Sequence, residues 1–206
     1  GLFGDVLAVV GAVWLLNLYN FMDGIDGIAG VEGITVPVAI GGLLFLTGSQ
    51  TNEPIIYFLV AASVMGFLMW NFPPAKIFMG DVGSCFLGLL LVLLAIMTAH
   101  NDAHFLWVAL IMLGVFIVDA TWTLCVRFLS GRKIVEAHRS HAYQHASRRY
   151  GHLAVTVSVL LINIFWLMPV ASLVAFGVID GVIGVLLSYL PLVLIAVKYQ
   201  AGQPEE

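Results

Sequence analysis

Seven apolar runs of roughly 18 to 24 residues, each long enough for a helix to cross about 30 Å of hydrocarbon, occupy most of this chain. They fall at about 2 to 20, 31 to 48, 54 to 72, 82 to 99, 104 to 127, 153 to 176 and 178 to 198. The runs are too long for strands, and none sustains the alternation of a barrel strand. The expectation is therefore an all-α, polytopic membrane bundle with about seven transmembrane helices, a single transmembrane domain over 1–206. Apolar residues make up 61% of the chain and charged residues 10%, where a soluble domain carries about a quarter charged. The lipid bilayer is the expected environment, and a net charge of −4 gives no reason to expect a nucleic-acid partner.

The eight basic residues orient the bundle. Arg127, Arg132, Lys133, Arg139, Arg148 and Arg149 cluster around one loop at 128–152, Lys76 follows the third run, and Lys198 ends the seventh. Basic loops stay in the cytoplasm. Counting crossings from 128–152 puts residues 20–30, 73–81 and the C-terminal end on that same side, with 199–206 read as a disordered tail. Three polar stretches can thus converge on one face. Cys85 and Cys125 suggest neither a disulfide framework nor a CxxC site.

The first stretch, "NLYNFMDGIDGIAG" at residues 17–30, sets Asn17, Asn20, Asp23 and Asp26 on a tight turn at the membrane surface. Helix capping explains one acid, but a second at membrane depth costs roughly 2.5 to 3.5 kcal/mol. The second, "FPPAKIFMGDVGSCFLG" at 72–88, joins Lys76 to a Gly80-Asp81 turn with Ser84 at the start of the fourth helix. Such a turn offers backbone N–H groups to an anion, and Asp81 suits a divalent cation. The third stretch, 131–152, carries His138, His141 and His145 at a spacing that shares one face if helical. Zinc is an alternative there, without a cysteine or nearby acid to complete a tetrahedral set. Arg139 and its histidine neighbours suit phosphate recognition. Asp119, inside the fifth run, is a further site candidate, equally readable as an interhelix hydrogen-bonding group.

Together, "NLYNFMDGIDGIAG", "PAKIFMGDVGS" and "EAHRSHAYQ" resemble the polyprenyl-phosphate N-acetylhexosamine-1-phosphate transferases of glycosyltransferase family 4. The "HRSHAYQ" form looks most like the O-antigen and common-antigen initiating type. The resemblance implies transfer of a sugar-1-phosphate from a UDP-N-acetylhexosamine to undecaprenyl phosphate, with release of UMP. It also implies a bacterial inner-membrane enzyme with a cytoplasmic active face, starting cell-surface polysaccharide such as lipopolysaccharide O-antigen. Asp81 would hold Mg2+, with Mn2+ as the alternative, and Asn20, Asp23 and Asp26 would line the nucleotide and diphosphate pocket. His138, Arg139 and His141 would contact the sugar nucleotide; Lys76 as a phosphate contact follows from its charge and place. The family has an Asp-Asp motif on an earlier loop and about ten or eleven crossings. Neither is found here, so the chain is expected to be the C-terminal part of a longer fold. A homodimer is compatible with the apolar surface.

Three other readings compete. A transporter or channel predicts polar residues through the depth of several helices, whereas these cluster at one face. A CDP-alcohol phosphotransferase would follow its Asp-Gly with Ala-Arg, which "DGIDGIAGVEG" lacks. An inactive lipid-binding fragment is the third.

Overall fold

A computed structural model describes residues 1–49, 52–133, 136 and 138–203, and over these the chain is helical with no strand. The helices are α1 (Leu2–Met22), α2 (Ile28–Leu46), α3 (Glu53–Asn71), α4 (Gly80–Asn101), α5 (His104–Met112), α6 (Gly114–Leu129), α7 (Ala142–Ile162), α8 (Met168–Ala175) and α9 (Gly181–Lys198). A π-helical turn, Asn163–Leu167, joins α7 to α8. Six stretches are long and apolar enough to cross a membrane, or seven if α5 and α6 form one span. The protein is a multi-pass membrane protein of all-α class.

Helix α2 is the centre. It is apolar all round and buried along most of its length, as expected for a helix surrounded by others. It packs on α3 and α7, while α1 lies along α4 and α6 along α9. The core runs through Tyr19, Ile28, Ile40, Leu91, Phe105 and Phe116, with the Tyr19 and Phe116 rings 5.0 Å apart. Glycines allow the close approaches: a Cβ on Gly88 would sit 2.7 Å from Tyr19 Cβ and 3.2 Å from the Leu15 carbonyl oxygen. Small residues at helix contacts let backbones meet where lipid gives no hydrophobic drive.

Three expectations change. The run at 104–127 is two helices bent by 68°. At the break, the Leu110 carbonyl, which a straight helix offers to residue 114, accepts the Tyr189 hydroxyl at 2.9 Å. The sixth run begins earlier than 153: α7 starts at Ala142, inside the stretch read as a loop, and kinks at Gly151, whose φ of 82° and ψ of 162° leave the helical region. The tail is ordered where described. Ala201 is buried and the Gly202 amide donates to the Ser140 carbonyl at 2.7 Å; residues 204–206 lie outside the described residues.

One buried polar pair had no signal in the spacing of the sequence. Glu32 in α2 accepts from Asn163 Nδ2 at 2.7 Å, and the same amide donates to Thr35 Oγ1 at 2.8 Å. The carboxamide of the π-helical turn thereby tethers α7 to the central helix.

Candidate functional site

Asp-Gly at 23–24 ends α1 and places Asn20 on its last turn, facing the start of α4. Asn20 Nδ2 donates to Asp81 Oδ1 at 3.2 Å and to Ser84 Oγ at 2.9 Å. Gly80, with φ of 67°, makes the turn that starts α4, and its carbonyl accepts from Ser84 Oγ at 3.1 Å. These contacts bring together residues 61 and 64 positions apart in the chain. Asp23 is half-buried beside them. Burial first, and the like charge of Asp81 second, push its carboxyl from 3.8 up to about 7.

Asp26 has a different place from the one expected. Its Oδ2 accepts the Ala75 amide at 3.0 Å, its Oδ1 lies 3.3 Å from His152 Nδ1, and its carbonyl accepts from Thr156 Oγ1 at 2.7 Å. Beside it, the Gly27 amide donates to Asn71 Oδ1 at 3.0 Å, and Asn71 Nδ2 to the Ile77 carbonyl at 2.8 Å. Asp26 therefore fastens the turn after α1 to the loop before α4 and to α7. The Lys76 ammonium sits over the Trp70 ring, 5.3 Å from the centroid.

The third stretch closes the cleft from the other side. Residues 138–141 are extended, and His141 immediately precedes α7, so the three histidines do not share a helical face. The His138 and His141 rings stack instead, with centroids 5.0 Å apart, and His141 lies 6.3 Å from the Phe21 ring. Burial, then the neighbouring charges of His141 and Arg127, lower the His138 pKa from 6.5 to about 4. It is a neutral imidazole at pH 7, with Nδ1 3.1 Å from Ser140 Oγ. Arg139 is exposed and its carbonyl accepts from Arg148 Nη2 at 2.7 Å. Asp119 is buried at this junction, where it accepts from the Ala142 and Tyr143 amides, each at 2.9 Å. Tyr143 completes the link to α1 through its hydroxyl, which donates to the Phe21 carbonyl at 2.9 Å.

A cavity of about 860 Å3 runs between these parts. Its polar end is lined by Asn17, Asn20, Glu136, His138 and His141, and its other end by Val9, Val10, Val13 and Trp14 of the lipid-facing side of α1. Asn17 Nδ2 bonds back to the Val13 carbonyl at 2.7 Å, at the boundary of the two. One end of the cavity is therefore polar and the other apolar, as an amphiphile requires.

Asp81, Asp23 and the Asn20 carboxamide form an oxygen-rich corner with two carboxylates. Hard cations such as Mg2+ are held by one or two carboxylates and complete their shell with water and substrate phosphate oxygens. Burial is the main cause of the raised Asp23 carboxyl, and the lesser one, the like charge of Asp81, is one a cation would relieve. The donor set therefore fits Mg2+. Among the described residues, no three His, Cys, Asp or Glu side chains are grouped to hold a metal by themselves. Sequence reading missed Asn71, Tyr143, His152 and Thr156. Each is an ordinary polar residue until the fold places it against a partner distant in the chain.

Comparison with known proteins adds the following. Residues 1–99 match the family described as Glycosyl transferase family 4. The chain is 35% identical over 122 residues to a probable undecaprenyl-phosphate N-acetylglucosaminyl 1-phosphate transferase of Bacillus subtilis (strain 168), covering 58% of this chain and 34% of that protein. It is 40% identical over 77 residues to the phospho-N-acetylmuramoyl-pentapeptide-transferase of Levilactobacillus brevis, covering 37% and 24%. The protein of that name in Bacillus pumilus is 33% identical over 113 residues, covering 52% and 33%. The match thus spans about a quarter to a third of each relative's length.

Proposed function

We propose that this chain, whose residues 1–99 match glycosyl transferase family 4, is a member of that family, and that the polar end of the bundle transfers a sugar-1-phosphate from a nucleotide sugar to a polyprenyl phosphate. The observation that carries this reading is the position of Asn20. Its amide bonds the Asp81 and Ser84 side chains, and the same residue lines the cavity shared with His138 and His141. Asn20 thereby joins the Asp81 acid, suited to a cation, to a cavity with imidazoles for a sugar nucleotide and an apolar trough for a lipid tail.

The finer assignment is a UDP-N-acetylhexosamine as donor, undecaprenyl phosphate as acceptor and UMP as leaving group, at the cytoplasmic face of the bacterial inner membrane. The names of the three relatives favour this substrate class, and the Lys and Arg bias favours the side. The product is a lipid-linked sugar for surface polysaccharide; the "HRSHAYQ" form inclines the reading to the O-antigen type, and the pentapeptide-transferase relatives keep the peptidoglycan type as the second reading.

In the reaction a lipid phosphate oxygen attacks the phosphorus that bears the sugar, and the bond from that phosphorus to the UMP oxygen breaks. One phosphoanhydride replaces another, so positioning and charge neutralisation carry the catalysis. Asp81 and Asp23 would hold Mg2+, which supplies charge neutralisation at the diphosphate. Asn20 holds the Asp81 carboxylate through its Nδ2 hydrogen bond. Neutral His138 is available to hydrogen-bond the donor, and His141 backs it by stacking. Asp26 holds the two loops together at the Ala75 amide rather than touching the reacting groups.

The test is UMP release in detergent from a panel of UDP-N-acetylhexosamines with undecaprenyl phosphate and Mg2+. The full-length protein, this chain and Asp81→Asn are compared. Release by the full-length protein that falls about 100-fold or more in Asp81→Asn supports the reading. A folded full-length protein that releases no UMP with any sugar, or an unaffected variant, overturns it.

A further inference from the structure

Asp119 belongs to no polar loop, yet it is the acid with the most partners at the cleft. It sits in α6, about three turns from the C-terminal end of that helix, and is 7% exposed. Its Oδ1 accepts from Thr123 Oγ1 at 3.2 Å and the Ala142 amide at 2.9 Å, and lies 3.3 Å from His141 Nδ1. Its Oδ2 accepts from the Tyr143 amide at 2.9 Å. One carboxylate thus holds three consecutive residues, 141 to 143.

Those three residues are the ones that meet α1. His141 lies against the Phe21 ring and stacks on His138, and the Tyr143 hydroxyl bonds the Phe21 carbonyl. Asn20, the residue before Phe21, bonds Asp81. An anion at the first amides of α7 also complements the positive end of that helix, so a buried charge is stabilised where it stands. Capping needs only one or two of these bonds, and Ser, Thr or Asn would supply them. The contact to the His141 ring is additional. A carboxylate only accepts, so Nδ1 must carry the proton of that bond, and His141 is held in that form where it lines the cavity.

We infer that Asp119 is a positioning residue. It fixes the Nδ1–H form of His141 and the orientation of its ring, and through residues 141–143 it sets the distance between the loop histidines and the Asn20–Asp81 corner. The inference rests on the transfer reading for its kinetic consequence but not for its structural one. A carboxamide at this position retains the size and loses an acceptor, because its NH2 meets a donor from either Tyr143 or His141. The sugar-nucleotide side of the cleft then shifts while the lipid trough along α1 remains.

The test has two arms. The first is 15N NMR of the histidine-labelled chain in detergent, with the His141 signal identified by its loss in His141→Gln. Wild-type protein should show His141 protonated on Nδ1, and Asp119→Asn should lose that preference. An Nε2–H form in the wild type, or an unchanged form in the variant, overturns the inference whatever the enzyme does. The second arm is kinetic, on the full-length protein. Asp119→Asn should raise KM for the nucleotide sugar about tenfold or more and leave KM for the polyprenyl phosphate within about twofold, with Asp119→Glu recovering part of the loss. A fall in kcat with both KM values unchanged signals a smaller folded fraction and overturns the positioning role. If wild-type protein releases no UMP, the transfer reading fails, and the tautomer arm still decides the role of Asp119.

Discussion

Without divalent cations this protein should lose stability as pH rises from about 4 to 7, and the raised Asp23 carboxyl is the cause. Its carboxyl is near 7 in the folded protein and 3.8 when free of the fold. A carboxyl raised on folding favours the folded state below its unfolded pKa, and that stability is lost as pH climbs through the folded value. At full weight the difference is about 4 kcal/mol. Solvent reaches the half-buried side chain, so about 2 kcal/mol is the working figure. For a chain of this size, that lowers Tm by about 4 to 8 °C. The assay is thermal unfolding in detergent followed by tryptophan fluorescence, at stepped pH with EDTA or with Mg2+. Other groups add to the profile, so the quantity read is the difference from Asp23→Asn, which keeps their contribution. Asp81→Asn should remove part of the slope, because burial is the larger cause and the Asp81 charge the smaller. Mg2+ should flatten it, since a bound cation favours the ionised acid. An EDTA profile equal in wild type and Asp23→Asn would refute the reasoning, and so would one that Mg2+ leaves unchanged.

Further outcomes follow from the close contacts. Gly88→Val puts side-chain atoms where Tyr19 and the Leu15 carbonyl sit, so it should cost about 2 kcal/mol and weaken the Asn20–Asp81 contact, read as a lower Tm and slower UMP release. Gly24→Ala drives its Cβ into the Tyr143 hydroxyl and should cost more than Tyr143→Phe, which removes one hydrogen bond worth about 1 kcal/mol; denaturant midpoints of the two variants decide. Asp26→Leu frees the Ala75 amide and should make the loop before α4 more sensitive to protease, with α1 to α3 left intact.

The helices were legible because length and apolarity alone set them in lipid, and the convergence of 20–30, 73–81 and the basic loop followed from the parity of crossings. What stayed hidden depends on partners far along the chain. The bend between α5 and α6 involves Tyr189, 79 residues beyond the Leu110 carbonyl it bonds. The early start of α7 is fixed by Asp119, which has no capping spacing because it lies 23 residues upstream of Ala142. Gly151 did offer a signal: a glycine between polar "SRRY" and apolar "LAVTV" marks a kink as readily as a loop end. Asp23 and Asp26 look equivalent in "DGIDG", and only their neighbours, Asp81 for one and Ala75 and His152 for the other, tell them apart.

The most direct test of the account asks whether the acids and the loop histidines face one cleft. Mn2+ is added to the histidine-labelled chain in detergent, and paramagnetic broadening is measured at each imidazole. The account predicts strong broadening of His138 and His141, absent in Asp81→Asn, with His100 and His104 at the other end of α4 and α5 left sharp. Equal broadening of all histidines, or sharp His138 and His141 signals with Mn2+ bound, would contradict it.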